Sequence, residues 1–263
     1  MTVTTPAPAY ARTIAGSGPG LLVAHGAGGS VDANYGPILG ELTAGHTVVG
    51  VDFPGTGGTP RSTEPLSLDE LADQLVAAAD AAGLDRFAVS GYSLGGPVAI
   101  RVAARYPERV TALILTATFP RVDHTLRLTA RLWRELFLAG DRDRLALFMV
   151  QKALSPALLN GLSEADLAAT LKGTGESAPA GTPEHLALID GVDVRGDLPG
   201  ITVPTLVVSA TQDQLVPPSL HREVAAGIPG ARLAEVTSGH LPFAETPAEW
   251  ARLITDFLAE HDA

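Results

Sequence analysis

With 263 residues, no cysteine and a formal net charge of −11, the chain is long enough to bury its own core and has no disulfide, thiolate nucleophile or cysteine-held metal. The acidic balance argues against a phosphate-backbone partner, because nucleic-acid binders need a cationic footprint. No apolar run approaches a membrane span, and Met1 to Tyr10 lacks the basic start and apolar stretch of a signal peptide, so it reads as a loose arm and the expected location is cytoplasmic.

In chain order, residues 21–24 are a short apolar strand that runs into His25-Gly26-Ala27-Gly28-Gly29. Residues 47–51 form a second strand, ending at Asp52-Phe53-Pro54-Gly55-Thr56-Gly57-Gly58. Ser67 and Glu70 make a capping box for a helix whose Leu68, Leu71, Leu75, Val76 and Ala79 share one face, with Gly83 closing it. Phe87-Ala88-Val89 is a third strand, and residues 94–106 carry no helix breaker except Pro97, which a first turn tolerates. Between them stands Gly91-Tyr92-Ser93-Leu94-Gly95. A Gly-x-Ser-x-Gly pentapeptide on a strand-to-helix corner points the serine hydroxyl out of the sheet, and the glycines make room for the neighbouring backbone.

Residues 110–115 supply a further strand after Pro107. From about Phe119 to Asp197 the pattern is helical, with residues 173–183 read as a flexible, Gly/Pro-rich connection. Strands resume at residues 205–209, ending near Asp213, and at 231–236, ending near His240. Thr246 and Glu249 are expected to box the start of a last amphipathic helix with Pro247 at its first position. Alternating strands and helices imply a mostly parallel α/β sheet with helices on both faces and a ligand crevice beyond the carboxyl ends of its strands.

A serine hydroxyl needs a base and a group that orients the base before it can act as a nucleophile. His240 and Asp213 are the candidates, in the order Ser93, Asp213, His240 and each at a strand end. On these pieces, with His25-Gly26, Asp52-x-Pro54-Gly55-x-Gly57, Tyr106-Pro107-Glu108-Arg109-Val110, Asp213-x-x-Val216-Pro217 and Gly239-His240, the chain resembles α/β-hydrolase-fold enzymes. Within them it is close to small bacterial serine esterases and non-haem haloperoxidase-like members. The resemblance implies a core over residues 1–119 and 196–263 and a helical cap insertion over 120–195. It implies catalysis by Ser93, Asp213 and His240 and an oxyanion hole from the Ala27 and Leu94 amides. The family often has glycine where this chain has Ala210, three residues before the acid.

The implied activity is hydrolysis of a small-molecule carboxylic ester, thioester or lactone through an acyl-enzyme, with no cofactor and no metal. Trp133, Phe137, Phe148 and Met149 of the cap are the candidates for substrate contact. The same triad serves acyltransferases, carbon–carbon bond hydrolases, perhydrolases, lyases and cyclases, and some receptors keep the fold without catalysis, so these remain open, as do substrate and oligomeric state.

Other residues have blander readings. His25 is expected to pin its loop and Asp52 to brace a turn, while Asp52 and Asp123 stand as substitutes for Asp213. His46, His124, His185, His221 and His261 read as surface or loop histidines, and Arg127, Arg131 and Arg134 as a solvated helix face. Gly16-x-Gly18-x-Gly20 precedes a strand, whereas a dinucleotide fingerprint follows one.

Overall fold

A computed structural model describes residues 10–261 of the protein. Its first strand, β1 (Arg12–Gly16), is absent from the expectations above. Its Arg-Thr-Ile-Ala-Gly sequence alternates exposed and half-buried positions, as suits an edge strand with one weakly apolar face. Tyr10, the end of the expected loose arm, is buried in the core; the rest of that arm lies outside the described residues.

The chain continues through β2 (Gly20–Ala24), the short helices α1 (Val31–Tyr35) and α2 (Leu39–Thr43), and β3 (Thr47–Val51). Next come α3 (Leu68–Ala81), β4 (Phe87–Tyr92), α4 (Gly95–Arg105) and β5 (Val110–Thr116). The Ser67 hydroxyl caps α3 by accepting the Glu70 N–H at 3.1 Å, a bond of the kind that contributes about 1 kcal/mol. Five helices follow before the sheet resumes: α5 (His124–Leu138), α6 (Arg142–Ala153), α7 (Pro156–Gly161), α8 (Glu164–Glu176) and α9 (Thr182–Ile189). The chain ends with β6 (Thr205–Ala210), α10 (Pro218–Gly227), β7 (Arg232–Val236), α11 (Pro242–Glu245) and α12 (Pro247–Glu260).

The strands form one sheet in the order β1-β3-β2-β4-β5-β6-β7, parallel except for β1, which pairs antiparallel with β3. Strands β2, β4 and β6 are buried along their whole length, because helices cover both faces. On one face Leu71, Leu75, Val98, Val102, Leu220 and Val224 of α3, α4 and α10 pack over the sheet. On the other, Val31, Tyr35, Leu42, Trp250, Ile254 and Phe257 of α1, α2 and α12 do so. The chain turns from β2 outward to β3 and from β4 outward to β5, so β2 and β4 are adjacent at the point where strand order reverses. Ala24 and Gly91 face each other in that pair, and the loops after them therefore start side by side.

The helical insertion is pinched at its base. Arg121 and Asp193 form an antiparallel bridge, with the Val122 N–H donating to the Val192 carbonyl at 3.2 Å and the Val194 N–H to the Pro120 carbonyl at 2.8 Å.

Two local expectations are corrected. Residues 173–176 belong to α8 and not to a flexible connection, since the bare Cα of Gly175 lets α8 approach the Arg142 carbonyl. Thr246 does hold the N-cap position of α12, yet its hydroxyl has no hydrogen-bond partner, so the capping box does not form.

Candidate active site

Ser93 occupies the corner between β4 and α4 at φ = 51°, a left-handed conformation that costs a non-glycine residue on the order of 1–3 kcal/mol. Three hydrogen bonds hold it there. Its N–H donates to the Thr116 carbonyl at 3.0 Å, while its own carbonyl accepts the Gly96 N–H at 2.9 Å and the Thr118 hydroxyl at 2.7 Å. A side chain on Gly95 would strike the Ala24 carbonyl, and one on Gly96 would strike Thr118. Thr118, which the sequence reading passed over, is brought in by a second left-handed residue, Ala117, at the end of β5.

His240 follows β7, and its Nε2 lies 3.0 Å from Ser93 Oγ. On the other side of the ring, Nδ1 is 2.6 Å from Asp213 Oδ2. The second carboxylate oxygen, Oδ1, accepts the Leu215 and Val216 N–H groups, both at 2.8 Å, so the acid is fixed in the turn after β6. Ala210 accommodates that turn without a left-handed backbone, and its carbonyl receives the Asp213 N–H at 3.3 Å. Ser93, Asp213 and His240 are all buried.

The histidine loop is held from both sides. The His240 N–H donates to the Ala153 carbonyl of α6 at 2.7 Å, and its carbonyl accepts the Tyr92 hydroxyl at 3.0 Å. Burial, together with the nearby Asp213 charge, pushes the Tyr92 phenol well above its ordinary range, which keeps it a donor. Glu245 Oε1 accepts both the Gly239 N–H at 3.1 Å and the Ser155 N–H at 2.9 Å, joining this loop to the helical insertion.

The loop after β2 leaves one amide for a ligand. Gly26 N–H donates to Asn34 Oδ1 at 2.9 Å, Gly28 N–H to His185 Nδ1 at 3.1 Å and Gly29 N–H to the Gly26 carbonyl at 3.1 Å. Ala27 N–H, like Leu94 N–H at the start of α4, has no acceptor among the described residues. The Ala27 amide borders the cavity at Ser93 and the Leu94 amide directly follows that serine, and two unpaired donors so placed suit a developing oxyanion.

His25 braces this region as its reading anticipated. Its Nδ1–H donates to the Gly26 carbonyl at 2.8 Å and its Nε2 accepts the Phe53 N–H at 2.8 Å. Asp52 holds the Val31 and Gly58 amides at 2.9 and 3.1 Å, and Asp123 caps α5 through the Leu126 N–H at 2.8 Å. Neither of these carboxylates bonds His240. His124 and His261 are exposed and His46 is half-buried, but two other histidines are misread by the sequence. His185 is buried between two loops, its Nε2–H donating to the Pro54 carbonyl at 3.0 Å. His221 is buried beside the acid, with Nε2 3.6 Å from Asp213 Oδ2 and Nδ1 3.2 Å from Ser209 Oγ. Desolvation lowers His25 to about 3 and both His185 and His221 to about 4, so all three are neutral near neutral pH.

Two cavities meet at Ser93. One of about 150 Å³ is bordered by the Gly26 to Gly29 loop, Asn34, Tyr92 and His240, and one of about 20 Å³ by Phe119, Leu126, Ala130, Leu186 and Ile189. Trp133 borders both and Met149 the larger. Phe137 and Phe148 line neither, which corrects two of the four expected contacts. Leu126, Ala130 and Trp133 follow one inward face of α5, whereas Phe137 lies a turn further on, where its ring carries the Arg142 guanidinium at 4.8 Å. A larger depression of about 420 Å³ lies between α6 and α8, with Arg142, Leu147 and Lys172 on its wall, and neither Ser93 nor His240 touches it. Among the described residues no group of three or more His, Asp or Glu could hold a metal ion, and no helix is long and apolar enough to cross a membrane.

A buried serine, imidazole and carboxylate in line at the carboxyl ends of parallel strands form an arrangement suited to nucleophilic catalysis by the serine. The chain belongs to the alpha/beta hydrolase fold family, whose model matches residues 19–247. It is similar to the pyrrolizixenacetamide deacetylase of Xenorhabdus hominickii, with 34% identity over 251 residues that cover 95% of this chain and 94% of that protein. It is also similar to the pimeloyl-(acyl-carrier protein) methyl ester esterase of Xanthomonas campestris pv. campestris, with 30% identity over 94% of this chain and 97% of that one. Among solved structures, the alpha/beta hydrolase MGS-M2 from a Medee basin deep-sea metagenome library superposes with a TM-score of 0.86 over 95% of this chain and 94% of its own, at 19% identity.

Proposed function

We propose that the protein hydrolyses a small-molecule carboxylic ester, or a thioester or lactone, through an acyl-enzyme on Ser93. The observation that carries this reading is the continuous line from Ser93 Oγ to His240 Nε2 at 3.0 Å and from His240 Nδ1 to Asp213 Oδ2 at 2.6 Å. His240 takes the Ser93 proton as Oγ attacks the carbonyl carbon, and the Ala27 and Leu94 amides receive the oxyanion. The bond to the leaving group then breaks as His240 delivers that proton to it, and water activated by the same imidazole releases the acid. Asp213 holds the ring with Nδ1 protonated and offsets the charge of the imidazolium. One of these relatives is named for removing an acetyl group and the other for cleaving a methyl ester, and acyl cleavage of either kind agrees with this chemistry. Residues 120–195 act as a cap over the core formed by the described parts of 1–119 and 196–263, and the absence of cysteine suits a cytoplasmic location.

Labelling with a fluorophosphonate probe followed by peptide mass spectrometry tests the reading. The expected result is a single adduct on Ser93, lost in Ser93→Ala together with at least about 10⁴-fold of ester turnover, as for triad members that act as a unit. A folded Ser93→Ala protein that keeps more than about a tenth of the turnover removes the nucleophile assignment.

A further inference from the structure

The two cavities at Ser93 differ in size and in which catalytic group borders them, and this decides what each receives. At the tetrahedral carbon one substituent is Ser93 Oγ, a second is the oxyanion, and a third is the leaving group, whose heteroatom must reach His240 Nε2 to be protonated. His240 borders the cavity of about 150 Å³ and not the one of about 20 Å³, whereas Ser93 and Ala27 border both. The leaving group therefore extends into the larger cavity beside Asn34 and Tyr92. The fourth substituent, the acyl chain, is left with the smaller one.

That smaller space is about what one water-sized or methyl-sized group fills. Five of its wall residues, Phe119 beyond β5, Leu126 and Ala130 of α5, and Leu186 and Ile189 of α9, are buried members of the main core cluster, while the half-buried Thr129 and Trp133 close its remaining side on α5. Walls that are also core cannot retreat cheaply, because protein interiors are close-packed and extra methylenes force strained side chains. We propose that the enzyme is selective for the shortest acyl group, acetyl, carried on a bulky leaving group, with Leu186 and Ile189 as the residues that set acyl length. This rests on the acyl-enzyme reading above and specifies its substrate class.

The test uses the full chain with p-nitrophenyl acetate, butyrate and hexanoate, and with phenyl and 2-naphthyl acetate, whose leaving groups differ in bulk while being similar in acidity. The expected result is a fall in kcat/KM of at least about tenfold from acetate to hexanoate, with the two aryl acetates within about threefold of each other. Leu186→Ala and Ile189→Ala should raise the hexanoate-to-acetate ratio by roughly tenfold and leave the aryl ratio in place. A wild-type profile that is flat or rises with acyl length overturns the assignment, as do folded variants that change the aryl ratio instead. Should both variants fail to fold, the wild-type acyl and aryl series decide alone. Fluorophosphonate labelling of Ser93 run in parallel separates the two levels. Labelling with a long-chain preference overturns only the acyl assignment, and a chain that neither labels nor hydrolyses any of the esters overturns the acyl-enzyme reading with it.

Discussion

His185 Nδ1 accepts the Gly28 N–H at 3.1 Å, so a side chain of the inserted helix α9 fixes the loop that presents the Ala27 amide. The same ring donates from Nε2 to the Pro54 carbonyl at 3.0 Å, and the Gly181 N–H of that segment donates to the Gly55 carbonyl at 2.9 Å. The insertion is thereby latched to two core loops, one of which borders the reacting serine.

Replacing His185 should separate binding from turnover. Asparagine places its side-chain oxygen near the position of Nδ1 and can still accept the Gly28 N–H, whereas phenylalanine cannot. The expected outcome is a kcat within about threefold of wild type for His185→Asn and a loss of at least about tenfold for His185→Phe, with KM little changed, because an oxyanion donor acts mainly in the transition state. Steady-state kinetics on both variants, with melting curves to confirm folding, make the comparison.

Asp213→Asn should lower turnover on the order of 10⁴-fold without unfolding the protein, since asparagine favours the wrong tautomer of His240 and cannot balance its charge. Asp123→Ala should instead keep kcat and lose about 1 kcal/mol of stability, because that carboxylate caps α5. Parallel rate measurements and urea titrations distinguish the two carboxylates.

Acid should destabilise the protein below the ordinary histidine range. Burial holds His25 near 3 and His185 and His221 near 4, whereas in the unfolded chain each titrates near ~6.5. The unfolded state therefore binds more protons as pH falls. The stability these neutral rings confer is complete above ~6.5 and is lost progressively down to about pH 4 for His185 and His221 and about pH 3 for His25, each ring contributing a slope of up to about 1.4 kcal/mol per pH unit. Urea midpoints measured from pH ~7 to ~5 should fall, and His221→Asn should make that fall shallower by about one histidine's share.

Trp133→Ala and Met149→Ala should change kcat/KM, because both side chains border the cavity at Ser93. Phe137→Ala and Phe148→Ala should leave it within about twofold and act on stability alone, since half-buried rings outside the cavity contribute through packing. An activity change from Phe137→Ala equal to that from Trp133→Ala would contradict this division.

The three residues proposed to react, which the structure brings together, can be picked out of the sequence because each rests on a local constraint. The Gly-Tyr-Ser-Leu-Gly corner is specified within five residues by the strand before it, the helix after it and the side chains that cannot fit at Gly95 and Gly96. Asp213 and His240 could be found because parallel strands deliver their following loops to one edge of the sheet, so position along the chain is enough to place them in the same crevice. The capping of α3 by Ser67 is also a short-range signal, whereas His25 and Asp52 brace their loops partly through the distant Phe53 and Val31 amides.

What the sequence left undecided depends on pairings between distant segments. β1 exists because Ile14 and its neighbours lie along β3, although Arg12–Gly16 has too little apolar alternation to announce a strand by itself. His185 and His221 look the same in the sequence as His124, and only the packing of α9 onto the Gly28 loop and of α10 against Asp213 buries the first two while leaving the third in solvent. Trp133 and Phe137 are four residues apart on α5 and so share one side of it, but where that helix passes the site decides that the tryptophan borders the cavity and the phenylalanine meets Arg142. Local sequence determines a residue's conformation and its face on an element, whereas its environment is the sum of contacts from elsewhere in the chain, and those are settled only when the sheet and the inserted helices close on each other.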